Sequence, residues 1–321
     1  MITMGKYRHL SRAATTNGHF VITAIDHRSI LLDSLNQYAP VPLDDTAFTD
    51  FKQLVLSALV PHSSAVLADP AYGIGRGITS GVISGRTGVL APLEETSYEI
   101  HPSLSRINFI PGWSVKKIKL AGGDGVKLLL PYHPDAPNAA EKRSLVQQVV
   151  ADCERYDIPF FLEPIPHALA PKGTLANAEL LQVSVDNAQT FSAIGVDVLK
   201  LPFPVDAKQS QDEAEWLRAC QAVDAASSVP WALLSAGVNY ETFLRQSRIA
   251  CQAGASGVIV GRAVWAEAVQ LQGDALAAFL TGVAAERMRE LGAVCAAAAT
   301  PWQERVTPPG DDVAWYTRYQ S

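Results

Sequence analysis

Short apolar runs recur eight times along the chain, and this repetition constrains the fold more than any other feature of the sequence. Most runs are followed by turn residues and then by a helical pattern. Because the runs are almost entirely apolar and do not alternate with polar residues, they are typical of strands buried on both faces of a parallel sheet. The runs occupy residues 20–25, 65–68, 88–91, 125–130, 158–162, 196–204, 231–234 and 256–260.

Helical patterns separate these runs. In residues 141–156, apolar side chains recur every three or four positions, at Leu145, Val149, Cys153 and Tyr156, and therefore share one face of a helix. Strands that alternate with helices can form an open, doubly wound sheet or a closed barrel. Eight such units favour closure, so the sequence predicts an α/β fold of the (β/α)8 TIM barrel type.

The chain has 321 residues, which suits a barrel of ~250 residues with additions. Since no low-complexity linker interrupts it, we expect a single barrel domain over residues 1–299. Residues 300–321 contain three prolines and several aromatic residues. They predict a C-terminal extension that packs on the barrel or on a partner subunit, and a homo-oligomer is one possible form.

Composition excludes several classes of protein. The net charge is −6, and without a basic cluster we expect no nucleic-acid partner. The four cysteines form no C-x-x-C pair and indicate free thiols in a reducing compartment. The first ten residues lack the apolar core of a signal peptide. No apolar run is long enough to span a membrane. These features predict a cytoplasmic protein without a membrane partner.

Polar side chains stand where the apolar runs end, and active sites of such barrels lie at the C-terminal ends of the strands. A polar group in a buried strand is costly unless it is paired or functional, so we expect these side chains to converge on one mouth. The alternative is that some of them form structural ion pairs at the rim. The set comprises Asp26, Asp69, Glu163, Lys200, Ser235 and Arg262, with Lys127 inside the fourth run.

The loops after the last two runs predict a phosphate site. They read Ser235-Ala-Gly237 and Gly261-Arg262, and loops at these positions commonly bind phosphate through backbone N–H groups. Gly237 and Gly261 let the backbone approach an anion, and Arg262 adds a forked cation. Alternatively, the two glycines only serve tight turns.

Lys200 lies in the sixth run just before its two prolines, Pro202 and Pro204, and is the candidate nucleophile. It is either an ordinary exposed lysine or a buried one, and desolvation favours the neutral, nucleophilic form of an amine. A neutral amine can attack a ketone to form a Schiff base, which accepts the electrons of a breaking C–C bond. Glu163 can then act as general acid and base. Lys127 can hold a neighbouring charge, and Asp26 a sugar hydroxyl.

Several segments, in the same order along most of the chain, resemble the class I tagatose-1,6-bisphosphate aldolases, a family that also holds the sulfofructose-phosphate aldolases. Among them are Ala24-Ile-Asp-His-Arg28, Val196-Asp-Val-Leu-Lys200 and Gly261-Arg-Ala-Val-Trp265. The resemblance implies reversible cleavage of a ketose 1-phosphate or ketose bisphosphate to dihydroxyacetone phosphate and an aldehyde. It implies a covalent Schiff base on the chain itself, with no metal and no other cofactor.

The resemblance also implies roles for individual residues. Lys200 corresponds to the Schiff-base lysine and Glu163 to the proton shuttle. It further implies Asp26, His27 and Lys127 around the substrate, and Ser235, Gly261 and Arg262 at a phosphate. With Lys200 and Glu163, we take Lys127 and Asp26 as the candidate catalytic residues, and we add Arg28 and Gly237 to the candidate substrate and phosphate ligands.

Two positions depart from the family pattern. The family usually has glutamine where His27 stands, and Val-Glu-x-Pro where this chain has Leu201-Pro-Phe-Pro204. Because this carboxylate is missing, the sequence does not determine which group stands at the far end of the substrate. Sulfofructose 1-phosphate, which would yield sulfolactaldehyde, is the alternative substrate. Candidates for a second anion site are Arg28, Arg76, Arg86 and Lys172.

Two other functions are compatible with these residues. His27, His133 and His167 all follow predicted strands and suggest a metal-dependent aldolase or isomerase, although their spacing matches no recognised metal motif. The second alternative is a non-catalytic sugar-phosphate sensor on an aldolase barrel. Such a sensor has no need of Lys200.

Overall fold

Eight parallel strands close into a barrel in the computed structural model, which describes residues 1–95, 100–170 and 173–319. Their order around the barrel is β1-β10-β9-β8-β7-β6-β3-β2, and β4 and β5 form a separate antiparallel pair. Each of the eight predicted runs supplies one barrel strand, so the predicted TIM barrel is confirmed. The strands are β1 Phe20–Ile25, β2 Ala65–Ala68, β3 Gly88–Pro92, β4 Glu94–Glu95, β5 Asn108–Phe109, β6 Gly125–Pro131, β7 Phe160–Ile165, β8 Val198–Leu201, β9 Trp231–Leu233 and β10 Gly257–Val260.

Helices surround the barrel and follow most of its strands. Several begin at a side chain that accepts a hydrogen bond from the first helical turn, as Asp44, Asp212 and Asn239 do, which satisfies donors that a helix end leaves free. The α-helices are α1 Met4–Ala13, α2 Ser29–Asn36, α3 Asp45–Leu59, α4 Gly75–Thr79, α5 Val115–Leu120, α6 Ala139–Arg155, α7 Asn177–Ile194, α8 Glu213–Ala226, α9 Tyr240–Gln252, α10 Arg262–Trp265, α11 Gly273–Phe279 and α12 Ala285–Ala298.

The hydrophobic core has two layers because the barrel strands bury both faces. One layer lies between the strands and the surrounding helices. The other fills the barrel interior, where Phe20 and Phe161 meet edge to face with ring centroids 5.8 Å apart. Every residue of β1, β2 and β8 is buried. This continuous burial is why the runs read as apolar throughout.

The N-terminal end of the barrel is closed by α1 and by the segment that follows α12. Trp302 is fully buried in the interior cluster and contacts Tyr7 of α1, with ring centroids 4.8 Å apart. Its backbone N–H donates to the carbonyl of Gly18 at 3.0 Å. The barrel is thereby sealed at one end and open at the other.

The division of the chain between residues 299 and 300 stays a prediction, and residues 320–321 lie outside the described part.

The sixth predicted run, residues 196–204, is a strand only from Val198 to Leu201. Pro202 and Pro204 follow and carry no N–H for a sheet hydrogen bond, so the strand ends before them. Because the strand ends early, Lys200 is the second-to-last residue of β8 and lies next to the C-terminal mouth of the barrel.

Within the described residues, no helix is both long enough and apolar enough to span a lipid bilayer.

Candidate functional site

A cavity of about 110 Å³ opens at the C-terminal end of the barrel. Predicted site residues that line it come from the ends of several strands, as expected for this fold. They are Asp26, His27, Arg28, Lys127, Glu163, Lys200 and Arg262. The structure therefore brings most of the predicted residues together in one place.

Glu163 lies between two lysines. Its Oε2 is 2.8 Å from Nζ of Lys200 and 3.1 Å from Nζ of Lys127. All three side chains are buried. Burial alone would raise the pKa of Glu163, but the two lysine charges outweigh it and hold that pKa below its ordinary value. Glu163 is therefore a carboxylate that can accept a proton from a group placed beside Lys200.

Lys127 is held as an ammonium by three carboxylates. Besides Glu163, its Nζ lies 3.0 Å from Oδ2 of Asp26 and 2.6 Å from Oε1 of Glu94. Burial would lower the pKa of Lys127, but the three negative charges raise it well above the ordinary value. Lys200 contacts a single carboxylate in the described structure. Of the two lysines, Lys200 therefore has the fewer charged partners among the described residues.

Glu94 is a cavity residue that the sequence analysis did not select. It lies on β4, two residues beyond β3, and is 3% exposed. Burial raises its pKa above the ordinary value, and the charge of Lys127 only partly offsets this. Its Oε2 is buried without a hydrogen-bond partner among the described residues. A carboxylate just beyond a barrel strand was the available signal, the same one that identified Asp26.

Asp26 and His27 follow β1 directly, and near pH 7 the first is ionised while the second is neutral. Burial would raise the pKa of Asp26, but the charges of Lys127 and Lys200 hold it far below the ordinary value. Burial lowers the pKa of His27 to about 4, and the nearby cations, including Arg262, contribute to this although Asp26 opposes it. His27 is therefore neutral near pH 7. Its ring packs edge-on against Trp265, with centroids 5.5 Å apart.

The loops after β9 and β10 adjoin Arg262, which makes no ion pair with any described carboxylate. Gly237 has a φ of +82°, and a Cβ there would lie 3.8 Å from Nη2 of Arg262. A Cβ on Gly261 would lie only 2.9 Å from the carbonyl oxygen of Ala24, so this position needs glycine. Ser235 is buried, and neither it nor the two glycines lines the cavity around Lys200.

Asp69 does not line this cavity, contrary to the expectation that all polar strand ends converge there. It is fully buried and forms an ion pair with the equally buried Lys52 of α3. Its Oδ1 accepts hydrogen bonds from the backbone N–H groups of Ala71 and Tyr72. Lys52 also donates to the carbonyl of Ile25 at 3.2 Å. The pair connects α3 to the ends of β1 and β2, behind the site.

The candidates for a second anion site are dispersed. Arg28 lines the cavity and donates to the carbonyl of Glu94 at 2.7 Å. Arg76 is exposed on α4 and does not line the cavity. Arg86 precedes β3 and lines a different cavity at the opposite end of the barrel. Lys172 lies outside the described residues.

The histidines of the metal hypothesis do not converge on one point. His133 and His167 have ring centroids 6.1 Å apart, on the loops after β6 and β7. Neither lines the cavity that contains His27. Across residues 1–95, 100–170 and 173–319, no three His, Cys, Asp or Glu side chains are grouped so that they could hold a metal ion.

The comparisons of this chain with known proteins agree on one protein family. The model of the DeoC/LacD family of aldolases matches residues 20–267. The tagatose 1,6-diphosphate aldolase of Listeria monocytogenes serotype 4b is 34% identical over 326 residues, which cover 94% of each chain. Tagatose 1,6-diphosphate aldolase 1 of Streptococcus pyogenes is 31% identical over 327 residues, covering 95% of this chain and 99% of the relative.

The fold is also similar to solved structures. An archaeal fructose-1,6-bisphosphate aldolase, solved with its catalytic lysine bound to the carbinolamine intermediate of the substrate, superimposes with a TM-score of 0.58. It is 20% identical, and the match covers 88% of this chain and 99% of that one. At this level of identity, the similarity extends to the barrel fold.

Proposed function

Since the chain belongs to the DeoC/LacD family of aldolases, we propose that it is a class I aldolase that reversibly cleaves a ketose 1-phosphate or ketose bisphosphate. Its products are dihydroxyacetone phosphate and an aldehyde. The observation that carries the proposal is the contact of Lys200 with Glu163 at the open end of the barrel, 2.8 Å apart. Schiff-base chemistry uses an amine as the nucleophile and a neighbouring group that transfers protons, and this pair supplies both.

The reaction begins when Lys200 gives a proton to Glu163, which it contacts, and its amine attacks the ketone carbon of the substrate. The new C–N bond gives a carbinolamine, and loss of water, with a proton supplied to the leaving hydroxyl, gives the iminium. Glu163 is the acid and base for these transfers because it contacts Lys200 directly. Lys127 remains charged throughout and stabilises the carboxylates around it. The archaeal neighbour carries its carbinolamine on a lysine in the same way.

Cleavage follows from the iminium. A carboxylate removes the proton of the C4 hydroxyl, the C3–C4 bond breaks, and its electron pair moves to the iminium nitrogen to give an enamine. The aldehyde leaves. Protonation of the enamine carbon and addition of water then release dihydroxyacetone phosphate and regenerate Lys200. No metal takes part, because the iminium is the electron acceptor.

The phosphate next to the ketone is bound by the loops after β9 and β10. Arg262 supplies a cation that no carboxylate of the described chain neutralises, and Gly237 and Gly261 keep the backbone close to it. Neutral His27 is a hydrogen-bonding group beside this anion and not a further charge. Ser235 and Arg28 complete the proposed set of substrate ligands.

Borohydride reduction tests the chemistry. With a ketose phosphate present, we expect irreversible inactivation and a mass increase on the peptide that contains Lys200. Lys200→Met is expected to abolish the adduct, and Lys119→Met, at the other end of the barrel, to retain it. Loss of activity with a chelator and no adduct would favour the metal-dependent alternative. Binding of dihydroxyacetone phosphate without cleavage would favour the sensor.

The substrate is identified by comparing kcat/KM for tagatose and fructose 1,6-bisphosphates, fructose 1-phosphate and sulfofructose 1-phosphate. The relatives named above are tagatose 1,6-diphosphate aldolases, so we expect cleavage of the bisphosphates. Preference for sulfofructose 1-phosphate would identify a sulfofructose-phosphate aldolase, an alternative compatible with Pro202 in place of the family glutamate.

The proposal includes a cytoplasmic location, supported by four buried, unpaired cysteines, and a possible homo-oligomer.

A further inference from the structure

A second cavity lies at the opposite end of the barrel from Lys200. It has a volume of about 650 Å³, roughly six times that of the cavity around Lys200 (650/110). It is a broad groove that is largely open to solvent, with room for a small molecule. Its walls come from α1 and the loop after it, the turn before β2 and the turn before β3.

The charge of this cavity is opposite to that of the whole chain. Although the net charge is −6, the lining residues include Arg8, Arg12 and Arg86, together with His62, and no aspartate or glutamate. Hydroxyl groups account for most of the other polar lining. They belong to Ser11, Thr15, Thr16, Ser63 and Ser64.

The three arginines differ in how they are held. Arg12 is anchored, since its Nε lies 3.0 Å from Oδ1 of Asp124 and its Nη2 donates to the carbonyl of Gly85 at 3.1 Å. Arg8 and Arg86 form no ion pair with any described residue, and both are exposed. The cavity thus has one fixed guanidinium and two whose charge is available to a ligand.

Acidic groups near the cavity are already paired. Asp124 also accepts from His9, at 2.9 Å. Glu286 acts on His62 from outside the lining and forms an ion pair with Arg289. The potential inside the cavity is therefore positive, and a guanidinium binds phosphate oxygens through two parallel hydrogen bonds.

We propose that this cavity binds a small molecule that carries two or more phosphate groups. One phosphate is bound between Arg8 and Arg86 and another beside Arg12. Hydroxyls of α1 and of the loop after it donate to the remaining oxygens. Since no aromatic ring other than His62 lines the cavity, recognition is of the phosphates and not of a base. The inference is independent of the proposed reaction at Lys200.

Calorimetric titration with ATP and with pyrophosphate, in the absence of Mg²⁺ and at low ionic strength, tests this site. For the wild type we expect one ATP per chain, and binding that weakens as salt is added because the contacts are ionic. Arg8→Ala/Arg86→Ala should weaken ATP binding at least ~10-fold, which corresponds to the loss of about 1.4 kcal/mol. Its kcat and KM for ketose phosphate should equal those of the wild type.

Two control variants separate this site from other sources of anion binding. Arg155→Ala removes an exposed arginine at the end of α6, outside the cavity, and should bind ATP like the wild type. Arg262→Ala removes the cation beside Lys200 and should leave ATP binding intact. Absence of ATP binding, equal weakening in all three variants, or binding of single-stranded RNA but not ATP would each overturn the proposal.

Discussion

The amine of Lys200 lies 2.8 Å from Oε2 of Glu163, and that same oxygen is shared with a second lysine, Lys127. The shared oxygen couples the two amines electrostatically: a proton added to Glu163 weakens its attraction to both. In the proposed reaction Lys200 becomes a carbinolamine, and Glu163 then keeps Lys127 as a cationic partner and does not become an isolated buried charge. Lys127 therefore keeps Glu163 paired while the charge on the nitrogen of Lys200 changes.

Glu163→Gln removes the proposed acid and base while it keeps an acceptor for Lys200. We expect kcat to fall by ~10²–10⁴, the usual contribution of general acid–base catalysis, and the pH dependence of kcat to flatten. Steady-state kinetics across pH is the measurement. Glu179→Gln, which changes a half-exposed carboxylate on α7, is the matched control, and equal kinetics in the two variants would contradict the assigned role.

Lys127→Met leaves Asp26, Glu94 and Glu163 buried with the charge of Lys200 alone. Removing one partner from a buried ion pair typically costs about 3–5 kcal/mol, so we expect the free energy of unfolding in urea to fall by that order. Lys116→Met, on the exposed face of α5, should change it by less than about 0.5 kcal/mol. An unchanged stability of Lys127→Met would show that the three carboxylates do not depend on Lys127.

His27→Gln should change how stability depends on pH. Burial lowers the pKa of His27 to about 4, whereas the unfolded chain has an ordinary value near 6.5. Between these values the unfolded state binds more protons, so the free energy of unfolding decreases as pH falls from about 6.5 to 4. The contribution of His27 to this decrease is about 3 kcal/mol.

His27→Gln removes this contribution, so its stability should exceed what the wild-type trend predicts at pH 4. Urea unfolding at several pH values gives the two curves. His101→Gln, outside the cavity, is the matched control. Parallel curves for the wild type and His27→Gln would refute the assigned charge state.

Lys52→Met and Asp69→Asn each break the fully buried ion pair behind β1 and β2. Each should lower the free energy of unfolding by about 3–5 kcal/mol, and the double variant by less than the sum, since the second change removes an already unpaired group. Because Lys52 also donates to the carbonyl of Ile25, next to Asp26, Lys52→Met should also lower kcat. Strict additivity in the double variant would show that the pair does not act as a unit.

Much of the fold and of the site could be read from the sequence, because burial on both faces leaves a local signature in each barrel strand. Asp26, Glu163 and Lys200 stand at strand ends, where a polar residue after an apolar run is conspicuous. Lys52 could not be identified in this way. It lies in helix α3, and its burial becomes apparent only from the residues that pack against that helix. A local pattern also cannot separate Asp69, which turns towards that helix, from side chains that face the mouth.

Glu94 was not selected from the sequence for a related reason. It lies beyond a strand of five residues and belongs to a two-residue strand whose partner begins at Asn108. Such a short pairing has no periodicity of its own. The position of this carboxylate after a predicted strand was visible in the sequence, but its contact with Lys127 follows from the pairing of β3 with β6 in the closed barrel.

Trp302 completes the interior packing of the barrel although it follows all eight strands in the sequence. The ribosome makes all eight strands before it makes this residue, yet the interior packing at the N-terminal end includes its ring. A chain that has formed the strands but has not docked residues 300–307 lacks this part of its interior packing. Completion of the interior packing thus depends on a segment that follows all eight strands in the sequence, and Trp302→Ala should slow refolding and increase aggregation more than it affects turnover by the folded enzyme.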